Sequence, residues 1–136
     1  MKIAEQIAAG AVTGKTTPRR ISIVDDDASI REALKSLMRS VRFHADAFAS
    51  AEEFLASERF DDTACLILDV HLPGMSGFEL QNQLNIDQRD IPIIFITAHV
   101  DEASQQRALK GGAVDFLGKP VRRETLFKAI QSAIER

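Results

Sequence analysis

Two short segments, Ala64–Leu68 and Ile91–Ile96, carry no polar side chain and are stopped at once by one, Asp69 in the first case and Thr97 in the second. A strand with one wet face alternates apolar and polar residues, whereas a strand that is apolar throughout is covered on both faces. Such strands belong to parallel sheets held between two layers of helices. No other local feature of this chain narrows its fold as much.

The rest of the sequence fits that frame. Arg20–Val24 is a β-branched strand that runs into Asp25-Asp26-Asp27. Ile30, Ala33, Leu34, Leu37, Met38 and Val41 then recur at steps of three and four, on one face of a helix. Phe43–Phe48 reads as a short strand, and Ser50 with Glu53 as a capping box opening a short helix around Phe54 and Leu55. Pro73 and Gly74 break the chain before a helix from Gly77 to about Gln88. Another helix, from about Asp101 to Lys110, is ended by Gly111-Gly112. Ala113–Leu117 is the last strand, and Leu126, Phe127, Ile130, Ala133 and Ile134 line the final helix. Five strands alternating with five helices, joined by right-handed crossovers, predict a doubly wound α/β sandwich of three layers.

With 136 residues the chain has the size of one domain. Residues 1–17 stand apart as an N-terminal extension, closed by the small and polar Gly14–Pro18 stretch. Ile3, Ile7, Ala8 and Ala11 suit a short helix there, which by itself is marginal in water. Residues 18–136 form the domain proper. Within the extension, Gly10–Thr16 approaches a phosphate-binding loop but is one residue short of the pattern and follows no strand, so it is set aside. A net charge of −3 provides no basic field for nucleic acid or an anionic membrane. Cys65, the single cysteine, rules out an internal disulfide and reads as a buried, inert thiol. No apolar run reaches the length of a membrane span, and no secretory signal is evident, so a cytoplasmic location is expected.

Function has to be read from a site, and in an open parallel sheet ligands bind at the carboxyl ends of the strands. That edge receives Asp25, Asp26 and Asp27 from the first strand, Asp69 from the third, Thr97 from the fourth, and Lys119 just after the fifth. Asp27 is placed to cap the first helix. Crowded carboxylates repel one another, and a hard divalent cation relieves them; oxygen donors on a wet edge suit Mg²⁺. A lysine and a hydroxyl beside that ion form a receptor for phosphoryl oxygens.

From Ile21 to the C-terminus the sequence resembles the receiver domain of bacterial response regulators. The resemblance is carried by Ile-Val-Asp-Asp-Asp (23–27), Leu-Ile-Leu-Asp-Val-His-Leu-Pro-Gly-Met-Ser-Gly (66–77), Ile-Ile-Phe-Ile-Thr-Ala (93–98) and Ala-Val-Asp-Phe-Leu-Gly-Lys-Pro (113–120), in that order. The last two segments look closest to receivers of nitrogen-fixation-type regulators. The resemblance implies a flavodoxin-like sheet of order 2-1-3-4-5. It makes Asp69 the phosphoacceptor, attacking a phosphohistidine on a sensor histidine kinase or phosphotransfer protein. Asp26 would hold Mg²⁺ directly, Asp25 mostly through water, and the backbone carbonyl of His71 would complete the set with Asp69. Thr97 and Lys119 would contact phosphoryl oxygens, Phe116 would be the switch aromatic that turns inward, and the Lys119–Pro120 bond would be cis. A protein effector would read a face built from helix 4 (about Asp101 to Lys110), strand 5 (Ala113–Leu117) and helix 5, the final helix around Leu126 to Ile134, with a second copy of the chain as another candidate partner on phosphorylation. Direct contact with nucleic acid or membrane is not expected.

Helix 4, poor in large apolar residues, is expected to be loosely held. His71 and His99 stand two residues beyond Asp69 and Thr97, where side chains in receivers tune the lifetime of the phosphoryl group. His44 reads as a strand-surface residue, Met75 as loop packing, and Arg122-Arg123 as a solvated helix start that an acidic partner could meet. A Mg²⁺-dependent aspartyl phosphatase would share an Asp nucleophile, a Thr and a Lys. It would show Asp-x-Asp near its N-terminus and later metal acids, whereas here the acid pair comes first and the nucleophile segment is Asp69-Val70-His71. No enzyme activity beyond the domain's own phosphorylation and dephosphorylation is therefore expected. A phosphate-independent interaction domain is the third reading, distinguished by an inert site.

Overall fold

The structure is a computed structural model and describes residues 19–57 and 60–135. The N-terminal extension, its helix, its closing Gly14–Pro18 stretch and the Gly10–Thr16 segment lie outside the described residues. The described elements are β1 (Arg20–Val24), α1 (Ala28–Ser40), β2 (His44–Phe48), α2 (Ala51–Ala56), a 3₁₀ turn (Phe60–Asp62), β3 (Thr63–Asp69), α3 (Gly77–Ile86), β4 (Ile93–Thr97), α4 (Glu102–Lys110), β5 (Asp115–Gly118) and α5 (Arg123–Glu135). All strand pairs are parallel and the order is β2-β1-β3-β4-β5, as expected.

The period of two along each central strand divides its side chains between two cores. Ile21 and Ile23 of β1, Cys65 and Ile67 of β3, and Ile94 and Ile96 of β4 face a cluster completed by Leu34 and Met38 of α1 and by Leu126 and Ile130 of α5. Leu66 and Leu68, with Ile93 and Phe95, face the other cluster, closed by Phe54 of α2, Phe78, Leu80 and Leu84 of α3, and Ala108 of α4. Both faces of the sheet are therefore dry, which is why β3 and β4 read as unbroken apolar runs. Cys65 is fully buried. Among the described residues no helix is long and apolar enough to cross a membrane.

All the expected elements are present within the described residues, but their ends shift by a residue or two. β2 starts at His44 rather than Phe43, β3 runs Thr63–Asp69 rather than Ala64–Leu68, and α3 ends at Ile86 rather than near Gln88. β4 begins at Ile93 rather than Ile91, because Pro92 has no N–H to give the ladder; its carbonyl still accepts from Leu66 N–H at 2.8 Å. β5 begins at Asp115 rather than Ala113, since Ala113 N–H donates to Ala108 C=O and so closes the end of α4. At α2, Ser50 Oγ accepts from Glu53 N–H as expected, but the Glu53 carboxylate takes the N–H of Ala49 instead of Ser50. The complete capping box is at α3, between Ser76 and Glu79. Asp27 caps α1, accepting from Ser29 and Ile30 N–H. His44 is exposed, and Met75 packs against the α2/α3 cluster.

Candidate functional site

β1 and β3 are neighbours in register, Val24 opposite Leu68, so their ends carry Asp25 and Asp69 to the same edge of the sheet. Carboxylate oxygens of Asp25, Asp26 and Asp69 lie within 4.8 Å of one another. Asp25 is fully buried, Asp69 is 4% exposed and Asp26 is open to solvent. Lys119 arrives from the end of β5 and closes the group. Its Nζ is 2.8 Å from Asp25 Oδ2 and 3.3 Å from Asp69 Oδ2, so one ammonium bridges two carboxylates. The backbone beneath it is held by Lys119 N–H donating to Thr97 C=O at 2.7 Å, and the Lys119–Pro120 bond is cis.

Each acid has a different local environment. Asp25 Oδ1 accepts from Asp27 N–H at 2.9 Å, whereas Oδ2, buried and opposite Lys119, has no hydrogen bond of good geometry. Asp69 Oδ1 accepts from His71 N–H at 3.3 Å. Burial, reinforced by the neighbouring Asp25 charge, pushes the Asp69 carboxyl up from its ordinary range, and Lys119 only partly offsets this. Burial by itself would lower the Lys119 ammonium, but Asp25 and Asp69 outweigh it and hold the group above its ordinary value. The donor set fits a hard cation: three carboxylates, one an underused buried oxygen, in a cleft open on the Asp26 side.

The remaining expected residues are placed around this group in different states. Thr97 is buried at the end of β4, with its hydroxyl turned to its own loop; it donates to His99 C=O at 3.2 Å and accepts from His99 N–H at 3.1 Å. Phe116 is buried, its ring 6.3 Å from that of Phe95, so the aromatic expected to turn inward is already inward here. The side chains of His71 and His99 are both exposed. Gly77 is where α3 meets the strand end: a Cβ there would lie 2.3 Å from Asp69 C=O, so only glycine allows this approach.

Two contacts at this edge escaped the sequence reading. Arg31 of α1 donates from its guanidinium to the Asp25 carbonyl at 2.8 Å. A cation in the first turn of a helix opposes the helix dipole, and that local conflict was the available signal. Glu52 of α2 accepts the N–H of Met75 at 2.8 Å, a bond spanning 23 residues that no local pattern announces.

Comparison with known proteins gives a consistent picture. The model of the response regulator receiver domain family matches residues 21–131. Nodulation protein W of Bradyrhizobium diazoefficiens is 48% identical over 127 residues, covering 93% of this chain and 56% of that protein. The transcriptional regulatory protein FixJ of the same organism is 37% identical over 121 residues, covering 89% of this chain and 59% of FixJ. The solved structure of the response regulator StyR superposes with a TM-score of 0.79 at 44% identity, over 85% of this chain and 59% of that one. The chain thus spans little more than half the length of these two curated relatives. The likeness to nitrogen-fixation-type receivers is borne out by these relatives.

Proposed function

The chain belongs to the response regulator receiver domain family, and on that premise we propose that it is a phosphorylation-activated switch of a two-component phosphorelay, with Asp69 as its phosphoacceptor. The observation that carries this reading is the convergence of Asp25, Asp26 and Asp69 under a single bridging lysine. Asp26, Asp69 and the His71 carbonyl would hold Mg²⁺ directly, with Asp25 acting mostly through water. The ion would supply positive charge opposite the incoming phosphoryl oxygens. An Asp69 carboxylate oxygen attacks the phosphorus of a phosphohistidine; a P–O bond forms, the P–N bond breaks, and the imidazole leaves with its electron pair. Lys119, already within reach of Asp69, follows the phosphoryl group and neutralises its charge.

The switch begins at Thr97. Among the described residues its hydroxyl bonds to its own loop, so a phosphoryl oxygen competes with the His99 carbonyl for that proton. Drawing Thr97 toward Asp69 pulls the loop that leads into α4 and shifts the balance of inward and outward Phe116. A protein effector reads the resulting face of α4, β5 and α5, with Arg122 and Arg123 exposed beside it. The phosphoryl donor is a sensor histidine kinase or phosphotransfer protein. Because FixJ is named as a transcriptional regulator, an effector that binds nucleic acid fits this chain as well, in the same polypeptide or another. The domain's chemistry is confined to its own phosphorylation and dephosphorylation, at a cytoplasmic location.

The test is intact-mass analysis after incubation with acetyl phosphate. One phosphoryl adduct is expected with Mg²⁺, and none without Mg²⁺ or in Asp69→Asn. An adduct that persists in Asp69→Asn would place the acceptor elsewhere. A chain that stays unmodified by acetyl phosphate and by histidine kinases alike would be a phosphate-independent interaction domain.

A further inference from the structure

On the reading just given, in which the His71 carbonyl faces Mg²⁺, we propose that Glu52 is a positioning residue that clamps the β3–α3 loop and thereby sets metal affinity. The loop leaves the sheet at Asp69 and enters α3 at Gly77. Its base is pinned on both sides: Val70 N–H donates to Ile96 C=O at 3.1 Å, and Gly77 N–H donates to Val70 C=O at 3.0 Å. Between these points run His71, Leu72, Pro73, Gly74, Met75 and Ser76, the last of which donates its N–H to Glu79 at 2.8 Å as the cap of α3. Glu52 Oε2 reaches across from α2 and accepts the Met75 N–H at 2.8 Å.

The turn is built around that carboxylate. Gly74 has φ +73, a conformation that L side chains rarely adopt, and a Cβ on it would lie 2.6 Å from Glu52 Oε2. The space beside Gly74 is therefore the seat of the Glu52 carboxylate. Pro73 stiffens the segment between this turn and His71, so a displacement at Met75 is passed back toward the His71 carbonyl. Glu52 is itself exposed, and its acceptor serves a backbone N–H rather than a core contact. Outer groups that orient metal ligands in this way typically change metal affinity by about 10-fold or more when removed.

A carboxylate near a cation also attracts it at long range, and the experiment separates the two effects. Glu52→Gln keeps an acceptor oxygen at the same reach without the charge; Glu52→Ala removes both. Binding of Mg²⁺ alone is followed by titration calorimetry, and exchange of the Met75 amide is followed by NMR in the metal-free protein. Glu52→Ala is expected to bind Mg²⁺ about 10-fold more weakly and to exchange its Met75 amide fast, with Glu52→Gln close to wild type in both. Equal Mg²⁺ affinity in Glu52→Ala and wild type overturns the clamp. So does a Glu52→Gln variant as weak as Glu52→Ala, which would assign the effect to charge. If the wild-type chain binds no Mg²⁺, the metal site of the proposed function fails, and the clamp's role fails with it. A failure of the clamp alone leaves wild-type Mg²⁺ binding and its loss in Asp69→Asn untouched.

Discussion

Asp25, Asp69 and Lys119 place two negative charges against one positive charge in a nearly dry cleft, and the balance is visible in acid–base behaviour. Asp69 holds its proton more tightly in the folded chain than the ordinary carboxyl value of 3.8 allows, through burial and then the Asp25 charge. Between 3.8 and its raised folded value the native state therefore carries the extra proton, and stability falls as pH rises through that window. Metal-free Asp69→Asn, which lacks this ionisation, should unfold at a higher urea concentration than wild type at pH 7, with the gap closing below pH 3.8. Equal midpoints at pH 7 would mean that Lys119 already compensates the pair. His71 and His99, exposed beside Asp69 and Thr97, should set how long the acyl phosphate lasts. Replacing both by alanine is expected to change the dephosphorylation half-life several-fold, and an unchanged half-life would make them bystanders. At this scale the candidate acids, Thr97 and Lys119 were all legible, because Asp69 and Thr97 directly end apolar runs while Asp25, Asp26 and Lys119 stand just beyond the ends of the first and last strands. That Asp25 is buried while its neighbour Asp26 is open was not legible, since it depends on what covers the edge.

Among the elements, α4 differs from the other helices in how it is held. Ala108 is its one buried residue, and its C-terminal end is tied to α3, where Gln81 donates to Ala108 C=O and Asn85 to Gly111 C=O, each at 3.0 Å. Arg107 lies over the Phe78 ring, 4.4 Å from its centroid. The opposite end, next to Thr97 and His99, rests on the Asp101 cap, whose carboxylate accepts from Ser104 N–H. These contacts favour a swing of the N-terminal end about an anchored C-terminus. Amides of α4 should exchange about 10-fold or more faster than those of β4, with the difference altered by phosphorylation. Exchange as slow as in the strands, with and without phosphate, would remove α4 as the moving part. The weakness of α4 was readable from its few large apolar residues. The anchor was not, because Gln81 and Asn85 look like ordinary polar positions until α3 and α4 are laid side by side.

Across the whole molecule, two cores share one sheet, and the lesser helices depend on them. α2 has six residues, too few to persist alone, and its hold on the sheet is Phe54, fully buried with its ring against Phe48. Phe54→Ala should lower the unfolding free energy by about 3–5 kcal/mol in urea titration, the cost of deleting a buried aromatic ring. A loss near zero would show that α2 packs by other contacts. Because Glu52 sits on that same short helix, the core under Phe54 also supports the β3–α3 loop. The amino-acid sequence by itself determined the layers, the strand directions and which side chains stand at the ends of β1, β3 and β4. Periodicity and abrupt polar stops are local, and they record which faces are dry. Only the tertiary structure decided that Lys119 spans Asp25 and Asp69, that Arg31 braces the Asp25 carbonyl, and that Glu52 holds the N–H of Met75. Apart from the Arg31 bond, which spans 6 residues, these contacts join residues 23 or more positions apart, and their geometry exists only once the layers have packed.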